Sequence, residues 1–71
     1  MDNLINKKIA VLGYGVEGKS LTSYLIRHGV QDLYIYDEKV TELNSEHLAK
    51  AILIKTDIQN VDFDIYDVVF R

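Results

Sequence analysis

The 71-residue chain contains no cysteine, which excludes a disulfide-stapled fold and leaves nothing that points to secretion. Its two histidines, His28 and His47, lie far apart along the chain and make a poor metal site. The sequence also lacks a nucleophile–base pair, a cluster of metal ligands and a P-loop motif. We therefore expect no catalytic residue and no metal or other cofactor in this segment.

Long apolar runs and an excess of positive charge are absent too. No stretch is long enough to span a bilayer, and residues 1–3 do not begin a signal peptide. The net charge is −3 with both signs interspersed, and four aspartates fall in the last fifteen residues. This pattern argues against a nucleic-acid partner. We expect a soluble, cytoplasmic protein that engages neither a membrane nor nucleic acid.

The chain is shorter than a typical domain of about 100–150 residues. Its last residues, Asp67–Arg71, are typical of a strand that stops before any turn or helix follows. We therefore expect a piece of a longer protein, with the remaining domains of the same chain as partners. Loss of neighbouring strands would leave a sheet edge beside Ile65–Phe70 unpaired, where the fragment could self-associate.

The absence of proline and the order of apolar segments favour an α/β fold with a Rossmann-like open parallel sheet and flanking helices. The predicted elements are a strand over 7–12, a helix over 16–28, a strand over 33–36 closed by Asp37, a short helix over 45–50 capped by Asn44 or Ser45, and strands over 51–54 and 65–70.

The first helix is predicted to be amphipathic and to end at Gly29. Its inward face is expected to carry Leu21, Tyr24, Leu25 and His28. Its solvated side is expected to carry Lys19, Ser23 and Arg27.

Three of the four glycines form a G-x-G-x-x-G turn between the first strand and the first helix. Gly13 permits a tight turn, Gly15 lets a phosphate approach the backbone, and Gly18 allows close helix–strand packing. Unpaired N–H groups of the first helical turn then point at the anion. Asp37 lies nineteen residues past the last glycine, where such folds place an acid that binds a ribose or base.

The turn therefore predicts a site for a phosphorylated nucleotide, and the glycines alone do not say which one. Glu38 and Lys39 follow Asp37 and are within reach of the same ligand. Two interpretations of Glu17 stay open, because it either points away from a diphosphate or accepts a hydrogen bond from the ligand. Lys19 either offsets this charge or is simply solvated.

The segment Lys8–Ser20, with its sequence KIAVLGYGVEGKS, resembles the opening of the Mur ligases, and in particular of the members that add D-glutamate. The segment Tyr66–Arg71 is similar to the family strand that leads into a Ser-Pro-Gly turn. This resemblance covers essentially the whole chain and implies the N-terminal domain of a three-domain, ATP-dependent enzyme.

In that family the domain binds the UDP part of a UDP-linked muramoyl substrate. The resemblance implies that Gly15, Val16, Glu17 and Gly18 face the diphosphate, and that Asp37 and Glu38 lie by the uracil and ribose. ATP and magnesium would bind to domains that this sequence does not contain. The alternative is an NAD-binding module, either of a potassium-transport regulator or of a dehydrogenase, because Asp37 suits an adenosine ribose equally well.

Overall fold

The computed structural model describes residues 2–71, which form a four-stranded, all-parallel sheet with flanking helices. The strand order is β3-β2-β1-β4, so β4 lies at one edge beside β1. The strands are β1 Lys8–Leu12, β2 Asp32–Asp37, β3 Ile52–Lys55 and β4 Val68–Phe70, and the helices are α1 Val16–Arg27 and α2 Ser45–Leu48. The predicted open α/β sheet is confirmed.

The core lies between the sheet and the two helices. Ile9 and Val11 of β1 alternate with Ala10, and Leu33 and Ile35 of β2 face the same way. Leu25 of α1 joins this buried cluster. Full burial of each such side chain contributes about 1.5–3 kcal/mol, so this layer fixes α1 against the sheet.

The opposite face of the sheet is covered by the connection from β3 to β4. This segment contains two short 3-10 turns, Ile58–Asn60 and Phe63–Ile65. The ring of Tyr36 packs edge-on against Phe63 and Tyr66, and the Tyr36 and Tyr66 hydroxyls lie 2.5 Å apart.

The predicted start of the fourth strand is wrong, because β4 begins at Val68 and Ile65 belongs to the preceding turn. The Asp62 carboxylate accepts a hydrogen bond from the Asp64 N–H and so initiates that turn. Side-chain capping of this kind competes with extended structure.

The predicted inward face of α1 is also partly wrong. Thr22 and Leu25 are buried, whereas Tyr24 is 39% exposed and His28 is exposed. The Tyr24 and His28 rings lie against each other, with centroids 4.2 Å apart. The helix ends at Arg27 and Gly29 follows with a φ of 89°, as predicted.

The shift of the buried stripe follows from Gly18. Because Gly18 has no side chain, α1 can approach the end of β1 closely at this position. The helix face that carries Gly18, Thr22 and Leu25 is therefore the one that packs against the sheet. Ser23, predicted to be solvated, is consequently half-buried. No helix within residues 2–71 has the length and apolar character needed to cross a membrane.

Candidate functional site

The glycine turn joins the carboxyl end of β1 to the amino end of α1. Gly13 has a φ of 106°, a conformation that favours glycine, and its N–H donates to the Tyr36 carbonyl at 2.7 Å. Gly15 is the extended N-cap of α1, and its carbonyl accepts the Lys19 N–H at 2.9 Å. The turn therefore joins strand to helix through three residues, 13–15.

The first N–H groups of α1 are free to bind an anion. Gly15 has no side chain that could cap the helix, and the N–H groups of Val16, Glu17 and Gly18 find no acceptor within residues 2–71. A β-carbon on Gly15 would meet nothing within 4 Å. Open space and unpaired donors at a helix N-terminus favour negative charge.

A crevice of about 520 Å³ opens in front of these donors. It lies at the carboxyl ends of β1 and β4, between the strands where the direction of chain winding reverses. Ligands of open α/β sheets bind at this topological switch point. The predicted residues Gly15, Val16, Glu17 and Gly18 all line the crevice, and the Val16 side chain is 88% exposed.

Two charged side chains border the crevice. Glu17 lies in the first turn of α1, and Arg71 lies directly after β4. The guanidinium of arginine carries several donors suited to phosphate oxygens. The crevice thus combines backbone donors, one cation and one anion.

Asp37, the last residue of β2, is not part of the crevice lining and instead ties the turn to the β2–α2 connection. Its Oδ2 accepts the Tyr14 N–H at 2.9 Å, and its Oδ1 accepts the N–H groups of Lys39 at 2.8 Å and Val40 at 2.9 Å. The Val40 bond, followed by those from Lys39 and Tyr14, lowers the pKa of Asp37 against the opposing effect of burial.

These three bonds limit what Asp37 can offer to a ligand. An ionised carboxylate has about four acceptor positions, so one remains open on Oδ2. One position suffices for a single ligand donor but not for both hydroxyls of a ribose diol. Glu38 is exposed beside it and also lies outside the crevice lining.

The side chain of Tyr14 runs inward from the turn into a buried polar cluster. Its hydroxyl lies 2.5 Å from Nδ1 of His47 and accepts the Asn44 N–H at 2.9 Å. Nε2 of His47 lies 2.7 Å from Oγ of Ser23 on α1. Tyr14 and His47 are 1% and 2% exposed. No group of three or more potential metal ligands occurs within the described part of the chain.

Arg71, Tyr14 and His47 were not predicted as site residues. Arg71 could have been found from the strand order, because the ends of neighbouring parallel strands meet at one edge of the sheet. Tyr14 lies within the glycine motif, but the spacing of the glycines does not predict that its side chain points into the core. The contact of His47 with Tyr14 spans 33 residues and has no local signal either.

Comparison with models of known protein families, with curated proteins and with solved structures gave no match to this chain.

Proposed function

We propose that this chain binds the diphosphate of a nucleotide at the glycine turn, and that the nucleotide is UDP. The observation that carries the proposal is the crevice at the switch point, where the unpaired N–H groups of Val16, Glu17 and Gly18 face open space. Backbone donors in this arrangement, together with the helix dipole, bind phosphate oxygens.

The composition of the crevice supports binding of a diphosphate. The α1 amino end lines the crevice, and Arg71 can reach a second phosphoryl group. The negative charge of Glu17 disfavours a highly charged anion. A diphosphate esterified at both ends carries less negative charge than one with a free terminal phosphate, so it fits this crevice better. A UDP-linked sugar has this form.

The geometry of Asp37 favours a ligand that offers this carboxylate a single donor. With one acceptor position open, Asp37 can take the ring N–H of uracil but cannot bind both hydroxyls of a ribose. The resemblance of Lys8–Ser20 to the Mur ligases favours UDP over NAD. We therefore place the uracil and ribose near Asp37 and Glu38.

At full length, the proposed protein is a UDP-N-acetylmuramoyl-L-alanine:D-glutamate ligase of peptidoglycan synthesis, acting in the cytoplasm. There ATP phosphorylates the substrate carboxylate, and the D-glutamate nitrogen displaces phosphate to form the amide. The present residues would hold the UDP end of the substrate and thereby position the reacting carboxylate. ATP and magnesium would bind to other domains of the enzyme.

Titration of the 71-residue chain followed by backbone amide NMR tests the proposal. The ligands are UDP-N-acetylmuramoyl-L-alanine, UDP-N-acetylglucosamine and NAD, and uridine serves as the control without phosphate. We expect saturable shifts of the amides of Gly15 to Gly18 with both UDP compounds and weak or no response to uridine. Saturable binding of NAD without a response to the UDP compounds would overturn the proposal.

A further inference from the structure

The glycine turn is anchored at both ends of Tyr14. The Tyr14 N–H donates to Asp37, and the Tyr14 hydroxyl reaches His47 in the core. Tyr14 stands between Gly13 and Gly15, whose backbones are intrinsically the freest in the chain. A residue held at both its backbone and its side chain restricts the two glycines that flank it.

The available hydrogens determine which atom donates in each bond of this cluster. The Tyr14 oxygen already accepts the Asn44 N–H, so its own proton is left to donate, and the acceptor at 2.5 Å is Nδ1 of His47. Nε2 of His47 then carries a hydrogen and donates to Oγ of Ser23. With these donors and acceptors the polar side-chain atoms of Tyr14 and His47 all have partners.

We propose that Tyr14 and His47 are positioning residues that hold the glycine turn in its anion-binding conformation, an inference that rests on the proposed function. The cluster links three elements, because His47 belongs to α2, Ser23 to α1 and Tyr14 to the turn. Phenylalanine at position 14 would fill the same volume, yet the chain buries a hydroxyl there and matches it with two partners. Matched polar groups of this kind select one arrangement of a core.

The test compares Tyr14→Phe with the control Tyr66→Phe. Both variants remove a hydroxyl from a pair 2.5 Å apart, but Tyr66 lies on the opposite face of the sheet and away from the turn. The probe is UDP-N-acetylglucosamine, whose doubly esterified diphosphate keeps a constant charge between pH 5 and 8. We expect Tyr14→Phe to weaken binding about three- to tenfold, because the two hydrogen bonds of the buried hydroxyl that hold the turn are lost, and Tyr66→Phe to bind like the wild type.

A comparison at temperatures where the proteins are fully folded separates positioning from general stability. Tyr14→Phe should bind more weakly than Tyr66→Phe at temperatures where circular dichroism shows both variants to be fully folded. If Tyr14→Phe does not fold, Ser23→Ala, which removes the partner of Nε2 of His47, should weaken binding in its place. Wild-type affinity in the folded variant of this cluster would overturn the positioning role while the proposed function stands. Failure of the wild type to bind any UDP compound would overturn both.

Discussion

Gly18 packs against the carbonyl group of Gly13 with no room for a side chain between them. A β-carbon on Gly18 would overlap the Gly13 oxygen and lie 2.8 Å from its carbonyl carbon. Both sides of this contact are backbone, so neither can move aside without shifting the helix or the strand. The contact sets the distance between α1 and β1 and thereby the position of the crevice.

We predict that Gly18→Ala destabilises the protein by at least about 2 kcal/mol, because overpacking against backbone forces α1 to shift. The matched control is Gly15→Ala, where the added carbon meets nothing within 4 Å. Urea unfolding followed by circular dichroism measures both variants. Gly15→Ala should retain most of the stability but bind UDP compounds more weakly, since the new methyl occupies space in front of the free N–H groups. Equal stabilities of the two variants would contradict the packing role of Gly18.

Asp37→Asn is expected to lower the free energy of unfolding at pH 7. The amide can present one oxygen to the three backbone donors that the carboxylate now accepts, so at least one donor loses its partner. The lowered pKa of Asp37 also makes stability depend on pH. Because the folded-state pKa lies below that of the unfolded chain, the stabilisation is present above the ordinary value of 3.8 and is lost as pH falls through the folded-state value.

Unfolding free energies measured from pH 7 down to pH 2 test this role. The wild type should lose stability below about pH 4, and Asp37→Asn should show a shallower loss over that range. Glu38→Gln, a change of an exposed neighbour, is the control and should follow the wild-type curve. An Asp37→Asn protein as stable as the wild type would show that the three bonds contribute nothing measurable.

Tyr66 should make the protein sensitive to alkali. Burial, followed by the hydrogen bond with Tyr36, raises the pKa of Tyr66 well above the ordinary value of 10.0. A raised folded-state pKa stabilises the protein below the unfolded value, and this contribution is lost as pH rises above 10. Thermal unfolding between pH 8 and 11.5 should show a decline for the wild type and for Tyr24→Phe. The decline should be shallower in Tyr66→Phe, and parallel curves for all three proteins would refute the assignment.

Removal of the positive charge of Arg71 and removal of the negative charge of Glu17 should change ligand affinity in opposite directions. Arg71→Gln should weaken binding of UDP-N-acetylglucosamine about two- to fivefold, as for an exposed ion pair, and should reduce its dependence on salt. Arg27→Gln removes the same charge from the far end of α1, about 18 Å from its start, and should leave affinity unchanged. An equal loss in both variants would show that Arg71 acts through net charge alone.

Glu17→Gln should strengthen the same binding, because the negative charge beside the diphosphate is removed while the shape is kept. Isothermal titration calorimetry at low salt measures the change. Weaker binding would instead show that Glu17 accepts a hydrogen bond from the ligand, which is the second interpretation of this residue.

The strands, the helix over 16–27 and the glycine turn were predictable because their signals are local. Four consecutive apolar residues in 9–12 indicate a buried strand, and glycine spacing reports the turn directly. The buried side of α1 was predicted less well, since the apolar pattern placed Tyr24 inward although it is exposed. The periodicity of the sequence locates an apolar face of the helix, but the Gly13–Gly18 contact determines which face of α1 packs against the sheet.

Local chain chemistry therefore defined the parallel α/β architecture and the glycine turn at the start of α1. Long-range packing was needed to place Arg71 at the crevice, to bring the Tyr14 N–H to Asp37, and to bring His47 against Tyr14. The two hydrogen bonds join residues 23 and 33 positions apart, and the placement of Arg71 depends on strand order. A periodic pattern reports the face and length of one element, whereas the partner of a side chain depends on how separate elements are assembled.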